Sequence, residues 1–118
     1  MARVLIVEDN ELVRETLCRL IRESGHRCHC VGTKADALHL LAPGSHALVI
    51  ADVLLPDGRG NDVAERAEQL GIRAITMSGH PDEIQGFAGA TRIHLVKPFG
   101  MQEFEQVLGD NVSAPDWL

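Results

Sequence analysis

Short apolar runs alternate five times with segments whose apolar residues recur at helical spacing, and this alternation constrains the fold more than any other feature of the chain. Val4-Leu5-Ile6-Val7 is continuous and rich in β-branched residues, as suits a strand buried on both faces. Asn10 is placed to cap a helix in which Leu12, Val13, Leu17, Leu20 and Ile21 share a face and which Gly25 ends. Arg27 to Val31 reads as a second strand, less apolar and so suited to a sheet edge. Thr33 with Asp36 is a capping-box signature for a helix carrying Ala35, Leu38 and Leu41, stopped by Pro43-Gly44. Ala47 to Ala51 is a third strand, ending at Asp52. After a loop with Pro56, Gly58 and Gly60, Asn61 is expected to cap a third helix carrying Val63, Ala64, Ala67 and Leu70, closed by Gly71. Arg73 to Met77 is the fourth strand, and Pro81 with Asp82 and Glu83 opens a fourth helix weakened by Gly86 and Gly89. Arg92 to Val96 is the fifth strand, and Met101, Phe104, Val107 and Leu108 mark a last helix.

Strict strand–helix alternation implies parallel strands, right-handed crossovers and helices on both faces. The expected class is α/β: a flavodoxin-like (βα)5 three-layer sandwich with a five-stranded parallel sheet. The strand order 2-1-3-4-5 is adopted from known doubly wound sheets rather than derived from the pattern. The 118 residues suit one domain over 1–110, with 111–118 as a C-terminal tail. No apolar run approaches the ~20 residues needed to span a bilayer, and the short apolar start is charged too soon for a secretory signal. A cytoplasmic location without membrane contact is the expectation. A net charge of −6 with no basic stripe argues against direct nucleic-acid binding and for a cation or protein partner. The three cysteines, Cys18, Cys28 and Cys30, are read as reduced thiols. Cys28 and Cys30 share a strand face near His26, where a metal site is conceivable, but packing as small hydrophobes is the preferred reading.

Open α/β sheets bind ligands outside the carboxyl ends of their strands. Here those ends carry Glu8-Asp9, Asp52, Ser78 and Lys97-Pro98. Three carboxylates in one crevice repel one another, each extra charge at ~4 Å costing several kcal/mol at an intermediate effective dielectric. Lys97 offsets part of that, and a hard divalent cation with oxygen ligands, Mg²⁺ or Mn²⁺, is the natural counterpart. A carboxylate beside such a cation is a competent nucleophile toward phosphorus, with Asp52 standing alone at the end of its strand. Ser78 and Lys97 suit the phosphoryl oxygens, and Glu8 and Asp9 suit the metal.

Taken together, Glu8-Asp9, the Asp52-Val53-Leu54-Leu55-Pro56 segment running to Gly60, Ser78-Gly79 and Lys97-Pro98-Phe99 resemble the response-regulator receiver family of two-component signalling, over roughly residues 3 to 108. The resemblance implies Asp52 as phosphoacceptor, with a histidine kinase or histidine phosphotransfer protein as donor. It implies Mg²⁺ held by Glu8, Asp9, Asp52 and the backbone carbonyl of Leu54. Ser78 and Lys97 would contact the phosphate, and the bond before Pro98 would be cis. It further implies a switch in which Ser78 and a ring on the fifth strand, here His94, repack the face formed by the fourth helix, fifth strand and last helix. That face would meet a downstream protein or a second copy of the chain. The family's usual aromatic is replaced by a titratable imidazole at His94, and the stretch from Ser78 to Lys97 is short for the family, so a stunted fourth helix is expected. Leu54 and His80, flanking the site, are expected to influence the dephosphorylation rate.

The expected role is a phosphorylation switch rather than a classical enzyme, in a single-domain regulator. A phosphate-independent module of the same fold and a receiver excised from a hybrid kinase are the alternatives. A flavodoxin-like or nucleotide-binding enzyme is disfavoured, because no G-x-G-x-x-G follows the first strand, no Walker motif is present and aromatics are only 3%.

Overall fold

The computed structural model describes residues 2–79 and 92–112. Five strands, β1 (Arg3–Val7), β2 (Arg27–Val31), β3 (Leu48–Asp52), β4 (Arg73–Ser78) and β5 (Ile93–Val96), form one sheet in the order β2-β1-β3-β4-β5, every pair parallel. Helices α1 (Glu11–Glu23), α2 (Lys34–Leu40), α3 (Gly60–Gln69) and a C-terminal helix (Met101–Asn111) cover it. This is the flavodoxin-like α/β architecture the alternating pattern implies. The expected fourth helix, with Pro81, and His80 lie outside the described residues.

Strand periodicity divides the core. Val4, Ile6, Leu48, Ile50, Ile75 and Met77 face α1 and the C-terminal helix, meeting Leu17, Ile21, Phe104 and Leu108. Leu5, Val7, Val49 and Ala51 face the other way, toward α2 and α3. That second layer uses small residues on its helices, Ala37, Ala64 and Ala67, which lets them lie close to the sheet. Parallel strands buried on both faces must be apolar on both, and β1 and β3 are.

The caps follow the sequence at two helices. Asn10 Oδ1 accepts from the Val13 N–H at 3.0 Å, and Thr33 Oγ1 from Asp36 N–H at 3.1 Å. At α3 the expectation is corrected: the helix begins one residue before Asn61, with Arg59 as N-cap and no side-chain cap bond. The reason is tertiary. A Cβ on Gly60 would overlap the Asp52 carbonyl oxygen, so the chain turns into α3 in close contact with the end of β3, where only glycine fits. The last helix also runs past Gly109 to Asn111, and Val112 is buried behind it, so the packed body reaches Val112.

The partner of the two strand cysteines was not expected from the sequence. Cys18 of α1 packs against Cys28 and Cys30, and its Sγ is in contact with both. His26 takes no part, its Nδ1 accepting the Ala2 N–H at 3.0 Å.

Gly60→Ala is expected to lower the urea midpoint by an amount equivalent to about 1–3 kcal/mol, from overlap with the β3 backbone. An unchanged midpoint would show that α3 can be displaced without cost.

Candidate functional site

The parallel sheet brings the ends of β1, β3, β4 and β5 to one edge. Glu8, one residue beyond β1, is 2% exposed, and Asp52, the last residue of β3, is 9% exposed. Both are far more buried than carboxylates usually are. Lys97, just past β5, bridges them: its Nζ donates to Asp52 Oδ2 at 2.5 Å and to Glu8 Oε1 at 3.0 Å. Asp52 Oδ1 accepts from the Leu54 N–H at 3.0 Å. Asp9 completes the group, and one ligand atom from each of Glu8, Asp9 and Asp52 falls within 4.8 Å of the others.

The two buried carboxylates share protons unequally. Burial, then the adjacent Asp52, raises Glu8 from 4.5 to about 7. Burial also pushes Asp52 upward, but hydrogen bonds from Glu8, Lys97 and the Leu54 amide outweigh it and leave Asp52 below its ordinary value. Lys97 is raised: burial opposes its charge, but the bonds to Asp52 and Glu8 prevail. Asp52 is therefore the ionised member near neutrality, as a nucleophile requires.

The donor set suits a hard divalent cation. Three carboxylates converge on one point and, among the described residues, Lys97 is the one ammonium there and the buried Glu8 Oε2 has no hydrogen-bond partner. A cation would supply what that oxygen lacks.

Supporting contacts were not legible beforehand. Arg14 donates from Nη1 to the carbonyl oxygens of Glu8, at 2.9 Å, and Asp9, at 3.4 Å, fixing the turn that carries both acids. Asp57 accepts from the Lys34 and Ala35 amides at 2.7 and 2.9 Å, tying the loop after Asp52 to the start of α2. Asp57 lies far from Lys34 in sequence, so its only sequence signal was an acidic residue in a turn.

Of the remaining expected residues, Ser78 ends β4 at 1% exposure, and its carbonyl accepts the Lys97 N–H at 2.8 Å. The Lys97–Pro98 bond is cis. His94 lies half-buried on β5, its Nδ1 hydrogen-bonded to Thr76 Oγ1 at 2.8 Å. Leu54 is 48% exposed beside the site. Next to Lys97 opens an apolar groove of about 690 Å³, lined by Leu12, Leu17, Phe99, Met101 and Phe104. None of the helices among the described residues is long and apolar enough to cross a membrane.

A family model described as the response regulator receiver domain matches residues 4–109. The transcriptional regulatory protein PmrA of Pectobacterium parmentieri is 31% identical over 108 residues, covering 87% of this chain and 49% of that protein. The two-component response regulator PhoP of Pseudomonas aeruginosa is likewise 31% identical, over 87% of this chain and 48% of its own length. The chain thus spans about half the length of these relatives. Among solved structures, the non-phosphorylated HemR receiver domain of Leptospira biflexa superposes with a TM-score of 0.84 at 28% identity, covering 97% of this chain and 96% of that one. The response regulator TrrA of Thermotoga maritima, solved with Mg²⁺ and BeF, shares the fold at 23% identity and a TM-score of 0.82, covering 93% of this chain and 98% of that one.

Because Glu8 is raised to about 7, it is protonated below that pH and ionised above it, so a Mg²⁺ ion bound here would have to displace its proton in acid. Calorimetric Mg²⁺ affinity should fall as pH drops from about 8 to about 6, approaching tenfold per unit at the acid end. Glu8→Gln should flatten that slope. A flat wild-type profile would remove Glu8 from the ligand set.

Proposed function

We propose a function from one premise: the chain belongs to the response regulator receiver domain family. It is a receiver domain of a two-component response regulator, a signalling switch rather than a classical enzyme. Within that class, our reading is that Asp52 accepts a phosphoryl group from a phosphohistidine on a histidine kinase or phosphotransfer protein. The observation that carries it is the buried pairing of Asp52 with Lys97 beside two further carboxylates.

In the transfer, an Asp52 oxygen forms a bond to phosphorus as the nitrogen–phosphorus bond of the donor breaks and the imidazole leaves. Phosphoryl transfer asks the protein for positioning and charge neutralisation rather than covalent chemistry of its own. Asp52 is positioned by the Leu54 amide and by Lys97. Once Asp52 carries the phosphoryl group, the Lys97 ammonium pairs with a phosphoryl oxygen, and the Ser78 hydroxyl donates to another. A Mg²⁺ or Mn²⁺ ion held by Glu8, Asp9, Asp52 and the Leu54 carbonyl supplies neutralisation of the phosphoryl oxygens when bound.

His94 is our candidate for relaying the change. Its bond to Thr76 ties the ring to β4, the strand that ends at Ser78, so movement of Ser78 and reorientation of His94 share one backbone. The outward signal would be a changed affinity for a partner protein at the face that includes β5 and the C-terminal helix, by population shift between two states. A homodimer through that face is one form such a partner could take. We place the domain in the cytoplasm, as is typical of response regulators.

The apolar groove at Leu12, Phe99 and Met101 adjoins Lys97, and Leu12 and Met101 are 74% and 61% exposed. An apolar surface next to the acceptor suits docking of the donor protein.

Asp52→Asn should keep the fold by circular dichroism and reduce acetyl-phosphate-dependent labelling to background; wild-type labelling would show that the nucleophile is elsewhere. Leu12→Arg should slow transfer from a phosphohistidine donor protein by on the order of tenfold while leaving acetyl-phosphate labelling unchanged. Equal loss with both donors would assign Leu12 to the site itself instead of the docking surface.

A further inference from the structure

We propose that Cys18, Cys28 and Cys30 form a three-thiolate site for one thiophilic d¹⁰ metal ion of the Zn²⁺ class, separate from the carboxylate cluster. Their sulfurs all lie within 4.8 Å of one another. Cys28 and Cys30, two residues apart on β2, point to the same face, and α1 lays Cys18 across them. The Cys28 and Cys30 sulfurs stand 3.8 Å apart. Two thiolates on a tetrahedral ion with metal–sulfur bonds of about 2.3 Å stand about 3.8 Å apart, so β2 already holds this edge of the coordination polyhedron. The Cα atom of Cys18 is 5.7 Å from that of Cys28 and 6.6 Å from that of Cys30, and its sulfur touches both. A sulfur forms a disulfide with one partner only. A disulfide in this cluster therefore leaves one thiol over, whereas a single ion engages all three.

The surroundings fit the charge. Three thiolates with a divalent ion carry a net −1. The cavity of about 520 Å³ that borders Cys18 and Cys30 is lined also by Arg14, Arg19 and Arg22, with Glu15 as the one acid. The cavity leaves room for a fourth ligand such as water. Soft sulfur ligands set this site apart from the oxygen ligands at Asp52, which favour Mg²⁺.

The test uses the full chain, reduced with a phosphine and confirmed by thiol titration, with Cd²⁺ as the spectroscopic probe and Zn²⁺ as competitor. One Cd²⁺ per chain should produce an ultraviolet thiolate-to-metal charge-transfer band, reversed by Zn²⁺ and unaffected by Asp52→Asn. Cys30→Ser, at a half-buried position on an edge strand, and Cys28→Ala should each weaken Cd²⁺ binding by about tenfold or more, with folding checked by circular dichroism. Three outcomes overturn the proposal. One is three free thiols but no band. Another is a band of undiminished affinity in folded Cys30→Ser. The last is a folded chain in which reductant frees only one thiol, which assigns the cluster to a disulfide.

Discussion

The ammonium of Lys97, shared between Glu8 and Asp52, is the contact on which the rest of this molecule depends. Two buried carboxylates side by side are unfavourable without a positive group between them. Burial raises both carboxyls, and hydrogen bonds give the arrangement its asymmetry: those from Glu8, Lys97 and the Leu54 amide hold Asp52 below its ordinary value, while Glu8 is raised to about 7. One carboxylate held ionised beside one that holds its proton more tightly is the arrangement that the proposed acceptor and cation site would use.

The scaffold serves that contact at several removes. A parallel sheet aligns the carboxyl ends of its strands, so residues far apart in sequence, such as Glu8 and Lys97, meet without any local signal joining them. Gly60 lets α3 press against the backbone of Asp52. Asp57 anchors the intervening loop to the amides that open α2, and Arg14 holds the carbonyls of the acidic turn. Each of these groups removes freedom from a residue of the candidate site. The small side chains on α2 and α3 bring these helices close to the sheet.

Much of the site was legible because acids, hydroxyls and lysines at strand ends break an otherwise apolar run, and the break can be counted along the chain. Glu8, Asp9, Asp52, Ser78 and Lys97 stand out this way, and the fold brings Glu8, Asp9, Asp52 and Lys97 together. What escaped is tertiary. Asn61 looked like a cap by type and place, yet the close approach of Gly60 to β3 starts the helix earlier. Cys18 carried no sign of its partners, because a helix residue and a strand face ten residues on become neighbours only when α1 packs on the sheet. The resemblance alone points to His94 as the ring position of β5, and its bond to Thr76 depends on the pairing of β5 with β4.

The sequence by itself determined the order and type of the elements, since the periods of apolar residues are local properties, and it placed the polar side chains of the candidate site at the ends of their strands. Tertiary structure decided which carboxylate carries the charge, which glycine cannot be replaced and which three sulfurs meet. Those outcomes turn on burial and on distances between segments remote in the chain, and neither quantity exists until the sheet has closed and the helices have packed upon it.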